Sequence, residues 1–244
     1  MSTTLTRERD GRVARVGFDH AERGNCFDEP RLSGLVAALE EAAADPRCAL
    51  IRLDMAGRHF CGGWDTSSFG ALATAGEDQV AADLRATDEA LDRIRRLPVP
   101  VVAAVRGQVI GFGLGLLSAV HLPVAGTGVR ASLPEARFGF APAGVGHTVS
   151  QALPRAQAYA LLTGATSATA ADLHRWGLIA QVVADDGLDA AVDDLVETLM
   201  AVPGDTLRAV TAVVESSRAT GRPAQAYLIA ARTIVRGAAG GEHR

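Results

Sequence analysis

Short apolar runs alternate with longer stretches of helical spacing along the first half of the chain. Residues 11–18 predict a strand, with Val13, Val16 and Phe18 supplying much of its apolar content. Residues 48–55 and 101–105 are compact apolar runs of strand length. Between them, residues 30–44 and 77–96 predict helices, closed by Asp45-Pro46 and by Leu97-Pro98-Val99-Pro100. Strands that are apolar throughout are buried on both faces, so the β-α-β-α-β order predicts an α/β fold with parallel pairing. From about Asp186 the spacing turns helical, over residues 188–201, 206–217 and 223–235. This divides the chain into a core, residues 1–185, and a C-terminal helical region, residues 186–244. Without an internal repeat or a low-complexity linker, a second independent domain is not expected.

Composition narrows the function classes. A chain of 244 residues, 48% hydrophobic, can bury one sizeable core. A net charge of −4 and 5% aromatic residues provide neither the basic footprint nor the stacking platform of a nucleic-acid binder. Cys26, Cys48 and Cys61 have no metal-ligand spacing and are too few for a disulfide framework, which predicts a reducing, cytoplasmic compartment. No signal peptide or membrane-length apolar run is legible, so a soluble protein without a membrane partner is expected. All 24 basic residues are arginine, which excludes any lysine-dependent mechanism.

Three glycine-bearing segments carry candidate chemistry. Ala56-Gly-Arg-His-Phe-Cys-Gly-Gly-Trp-Asp65 follows a strand, and its adjacent glycines allow a sharp turn that presents N–H groups outward. Alone, it reads first as an ordinary strand-to-helix turn with Asp65 as an N-cap. Val105 to Val120 joins a strand to an apolar helix through Gly111-Phe-Gly-Leu-Gly115, and a helix start supplies unpaired donors. It is not a dinucleotide fingerprint, because Leu116 stands where the third glycine belongs. In the third segment Glu135 follows Pro134 and precedes a glycine-punctuated apolar stretch, where desolvation would raise its pKa and suit it to acid/base work. A glutamate serving a helix dipole is the plainer alternative.

In this order and spacing, the segments resemble the enoyl-CoA hydratase/isomerase (crotonase) family over roughly residues 10–185. Phe60-Cys-Gly-Gly-Trp-Asp65 is similar to the family's F-C-A-G-A-D, Gly111 to Gly115 to its G-G-G-x-E, and Pro134-Glu135 to its P-E dipeptide. Asn25 matches the early asparagine of its N-A-L segment, and Asp172-Leu-His-Arg-Trp-Gly-Leu178 resembles its A-x-x-x-G-L motif. The resemblance implies a ββα-superhelix (ClpP-like) spiral core followed by a C-terminal helical trimerisation region, in a homotrimer or hexamer.

It also implies that the backbone N–H groups of Trp64 and Phe112 form an oxyanion hole for a thioester enolate, with Glu135 as the acid/base. Asn25, Cys26, Gly62, Gly63, Asp65, Thr66, Gly111, Gly113 and His147 are the implied substrate-binding positions. The family's hydratases hold water between two glutamates, whereas here Gly115 occupies the first position, so a single-glutamate isomerisation or syn elimination comes into view. Coenzyme A or a phosphopantetheine arm is the implied handle, with no tightly bound cofactor and no metal. Residues 105–119 and 138–145 further resemble crotonase homologues of polyketide β-branching cassettes, which dehydrate a branched hydroxyacyl group on a carrier protein. Two alternatives therefore stand beside an acyl-CoA enzyme: such a dehydratase, and a catalytically weak acyl-thioester binding subunit.

Overall fold

The computed structural model describes residues 3–65, 67, 77–139 and 141–220. Strand β1 (Thr3–Glu8) turns back on β2 (Val13–Phe18) as an antiparallel pair. Helix α1 (Glu29–Ala44) then crosses to β3 (Leu50–Met55), which lies parallel to β2. Asp28 caps α1 by accepting a bond from the Arg31 N–H, and Pro30 occupies its first turn, where no amide donor is required. Leu32, Leu35, Val36 and Leu39 recur at helical spacing and are all buried. At the far end, the Arg208 guanidinium donates to the carbonyls of Ala43, Asp45 and Cys48, closing the turn from helix to strand.

Helix α2 (Glu77–Arg95) leads into β4 (Val101–Val105). After β4 the chain makes short strand β5 (Gln108–Ile110) and helix α3 (Phe112–Ala119) before returning as β6 (Leu122–Gly126). Strand β7 (Arg130–Ser132), helices α4 (Ala143–Ala152) and α5 (Arg155–Leu162), strand β8 (Ala168–Thr169), helix α6 (Ala170–Arg175) and strand β9 (Gln181–Val183) follow. The first sheet runs β1-β2-β3-β4-β6-β9, parallel except at β1, and the second runs β5-β7-β8. The repeating step is a strand in the first sheet, a short strand in the second, and a helical return. This spiral agrees with the expected crotonase architecture.

Strand β4 shows why an all-apolar strand was required. Val101, Ala103 and Val105 face the main core, while Val102 and Ala104 meet Leu188 and Val192 of α7 (Leu188–Met200). Helix α8 (Gly204–Thr220) follows, beginning before and ending after the stretch expected from spacing. The helix expected over residues 223–235 lies outside the described residues. None of the described helices is long and apolar enough to cross a membrane.

Candidate active site

Two loops meet because their strands pair. Residues 56–65 leave β3 and zip onto β5: Phe60 N–H donates to the Arg106 carbonyl, Cys61 N–H to Gln108, and Ile110 N–H back to Cys61. Cys61 and Val109 are thereby locked as parallel bridge partners. Trp64 and Phe112 each lie three residues beyond their bridge partner, so the chain delivers them side by side from one register. Their rings meet edge to face at 5.3 Å, and Phe27 packs against Phe112 at 5.1 Å.

The Trp64 amide is turned away from Phe27 by its neighbours. Phe27 N–H donates to the Gly63 carbonyl, and Asp65 N–H donates to the Phe27 carbonyl, so in this bridge the Trp64 N–H points the other way. Among the described residues it has no acceptor. Phe112 begins α3, and its N–H likewise has no acceptor, being one of the free donors at a helix start. Gly111 makes the turn with φ 52° and ψ −116°, a conformation unfavourable for a residue with a side chain. Gly113 allows close contact between the loops, because a Cβ there would lie 2.8 Å from the Cys61 Cβ.

Glu135 arrives through the second sheet. Strand β7 pairs with β5, and Gly111 N–H donates to the Ser132 carbonyl at its end. Three residues later, Glu135 starts a short helical turn, Glu135–Phe138. Its Oε1 lies 2.5 Å from where a Cβ on Gly111 would sit, so the carboxylate rests against the second donor loop. Its Oε2 is buried and has no hydrogen-bond partner, the only such side-chain atom among the described residues. Burial pushes the Glu135 pKa upward, partly opposed by its own backbone N–H.

The Gly115 position is closed. A Cβ there would lie 2.8 Å from both Leu91 Cδ1 and Val145 Cγ1. Helices α2 and α4 therefore pack into the place from which a second acid would project, and a side chain would require them to move.

Other expected site residues are distributed less directly. Cys61 is fully buried where the two loops meet, and burial pushes its thiol up to about 12, which suits packing and not nucleophilic attack. Cys26 is half-buried behind Gly62, its Sγ 3.1 Å from a Cβ built there. Asp65 accepts a bond from Ser67 N–H, which holds its carboxyl below the usual range, and lies 3.6 Å from Arg23. Asn25 is fully buried, with its side chain engaged by backbone groups. His147 is exposed on α4 and lines a groove of about 950 Å³ with Ala136, Pro142, Leu153 and Tyr159, whose lining does not include Glu135. Thr66 lies outside the described residues.

Sequence spacing missed the roles of Phe27, Leu91, Val145 and His59, whose Nδ1 accepts from Gln108 N–H. Each acts across elements distant in sequence, so local periodicity carries no signal for it.

Comparison with known proteins identifies the family and the fold. A family model described as enoyl-CoA hydratase/isomerase matches residues 8–234. The chain is 32% identical to cyclohexa-1,5-dienecarbonyl-CoA hydratase of Thauera aromatica over 207 residues, covering 82% of this chain and 75% of that protein. It is 25% identical to 1,2-epoxyphenylacetyl-CoA isomerase of Escherichia coli K12 over 207 residues, 84% of this chain and 79% of that one. A crystal structure of an enoyl-CoA hydratase from Mycobacterium smegmatis superposes with a TM-score of 0.86 at 24% identity, over 97% of this chain and 91% of that chain, a likeness of fold.

Proposed function

Because the chain belongs to the enoyl-CoA hydratase/isomerase family, we propose that it binds an acyl-CoA thioester between the Trp64 and Phe112 amides and moves a substrate proton with Glu135 alone. The observation that carries this proposal is the half-buried Glu135, its Oε1 against Gly111 and its buried Oε2 without a protein partner. A buried carboxylate oxygen with no protein partner keeps its acceptor capacity for a group from outside the fold. Its raised pKa brings it closer to the range in which one group can both accept and return a proton.

The chemistry follows from charge development. Removing a proton beside a thioester carbonyl transfers charge to its oxygen, where two backbone donors stabilise the enolate, each contributing roughly 3 kcal/mol. The side chains of Trp64 and Phe112 wall the acyl group, while their amides supply the electrostatics. With Gly115 closed by Leu91 and Val145, no second carboxylate comes from α3. Glu135 then accepts a proton from one carbon and delivers it either to another carbon, giving double-bond isomerisation, or to a departing hydroxyl, giving syn elimination.

The test is turnover of a panel of 3-enoyl, 2-enoyl and 3-hydroxyacyl coenzyme A thioesters by the wild type and Glu135→Gln. The proposal expects one substrate class to be converted by the wild type and left unconverted, though still bound, by the variant. Equal turnover by both proteins would overturn it.

A further inference from the structure

Asn25 is buried too deeply to meet a substrate, yet its side chain is fully committed to the loop that carries Trp64. Its Oδ1 accepts from His20 N–H at 3.0 Å, and its Nδ2 donates to the Ala56 carbonyl at 2.7 Å and the His59 carbonyl at 2.8 Å. Both amide hydrogens thus fasten one loop, while the oxygen fastens the turn from which Asn25 itself projects. That turn is left-handed, with φ 62° at Gly24 and 57° at Asn25, a conformation that asparagine tolerates better than most side chains.

The neighbours of Asn25 hold the other end of the same loop. Gly62 N–H donates to the Gly24 carbonyl at 2.8 Å, while Phe27 bonds Gly63 and Asp65 on either side of Trp64. Residues 24–27 therefore grip the loop at Ala56, His59, Gly62, Gly63 and Asp65. The side chain of Asn25 provides the two bonds nearest β3, and the backbone provides the three nearest Trp64. Without those two bonds the stretch from β3 to His59 loses its anchor to this turn, and the loop keeps only its backbone bonds to β5 and to residues 24 and 27.

We propose that Asn25 is a positioning residue that, together with the Phe27 backbone bonds, sets the direction of the Trp64 N–H and so completes the pair of donors facing the thioester oxygen. This rests on the assignment of that amide under the proposed function. Misplacement of a reacting group by about 1 Å costs on the order of a hundredfold in rate, so a loosened donor affects enolisation more than binding.

The experiment is infrared spectroscopy of [1-13C]butanoyl-CoA bound to the wild type, Asn25→Ala and Asn25→Gly, alongside α-proton exchange rates in deuterated water. Arg208→Ala serves as the control, since it removes bonds to the α1–β3 turn away from the site. In the wild type the two donors polarise the carbonyl and lower its stretching frequency. The Asn25 variants are expected to lose about half of that downshift, as one of two donors is displaced. Their exchange should slow about tenfold to a hundredfold with dissociation constants changed by less than about threefold, while Arg208→Ala retains the wild-type frequency. Asn25→Gly preserves the left-handed turn and reports where the alanine variant does not fold. A folded Asn25 variant with the full wild-type downshift and exchange rate would overturn the positioning role. An unshifted carbonyl in the bound wild type would instead overturn the donor assignment itself.

Discussion

Gly115→Ala tests the closed position on α3, because two opposing effects predict opposite signs. In an open helix, replacing glycine by alanine stabilises by roughly 0.5–1 kcal/mol. Here the added Cβ meets Leu91 Cδ1 and Val145 Cγ1 at 2.8 Å and Val145 Cβ at 3.2 Å. Leu91 is fully buried and Val145 nearly so, and a β-branched side chain on a helix has little rotamer freedom with which to retreat. Overpacking of this kind costs about 1–3 kcal/mol, which at its midpoint exceeds the helical gain and leaves a net loss of about 1 kcal/mol. Urea unfolding of Gly115→Ala, Leu91→Ala and the double variant measures it. The double variant should be more stable than the sum of the single losses by about 0.5–1 kcal/mol, because removing Leu91 Cδ1 relieves its side of the clash while Val145 remains. A stabilised single variant with an additive cycle would refute the claim that α2 and α4 seal this position. The same packing makes Gly115→Glu alone a destabilised protein instead of a two-carboxylate one, since it adds a buried charge to the clash.

Further outcomes follow from individual groups. His121 accepts Val101 N–H on Nδ1, its other nitrogen meets the Arg95 carbonyl, and burial lowers its pKa. The unfolded chain therefore takes up a proton near its ordinary pKa of about 6.5 where the folded chain resists it, so this contribution is complete above that pH and declines below it. Urea midpoints between pH 8 and pH 5 should fall more steeply for the wild type than for His121→Gln; parallel curves would contradict the assignment. If ionised Glu135 is the base, α-proton exchange should rise with pH through a pKa above the ordinary glutamate value of about 4.3, and a titration at or below that value would contradict its desolvation. Cys26 should react with iodoacetamide before Cys61, whose buried thiol stands at about 12, as read by peptide mass; first labelling at Cys61 would contradict the packing of the two loops. Arg208→Ala should lower stability by about 1–3 kcal/mol through the three bonds lost at the Ala43, Asp45 and Cys48 carbonyls, measured by urea unfolding, and an unchanged midpoint would show that water replaces it fully.

The strands buried on both faces and the amphipathic helices were legible because burial writes itself into local spacing, as at Val101–Val105 and along α1. Strand β1 was not legible: it is an edge strand of mostly exposed polar residues, with only Leu5 packed inward. The second sheet escaped for a different reason, since strands of two or three residues are too short for a period to develop. At the site, Gly115 was readable as an absent acid, but not as a sealed one, because Leu91 and Val145 approach it from other helices. Asn25 was readable as a matching residue, whereas its bonds reach residues 31 and 34 positions away. Motif order identified which loops meet, and only the register between Cys61 and Val109 explains how they meet.

The most direct test of the central claim is exchange of an α-proton of butanoyl-CoA in deuterated water, followed by mass spectrometry, with wild type and Glu135→Gln at saturating thioester. The account predicts deuterium uptake by the wild type and loss of at least about a hundredfold in the variant, with its thioester affinity retained. Exchange at the wild-type rate by Glu135→Gln would contradict Glu135 as the group that moves the proton.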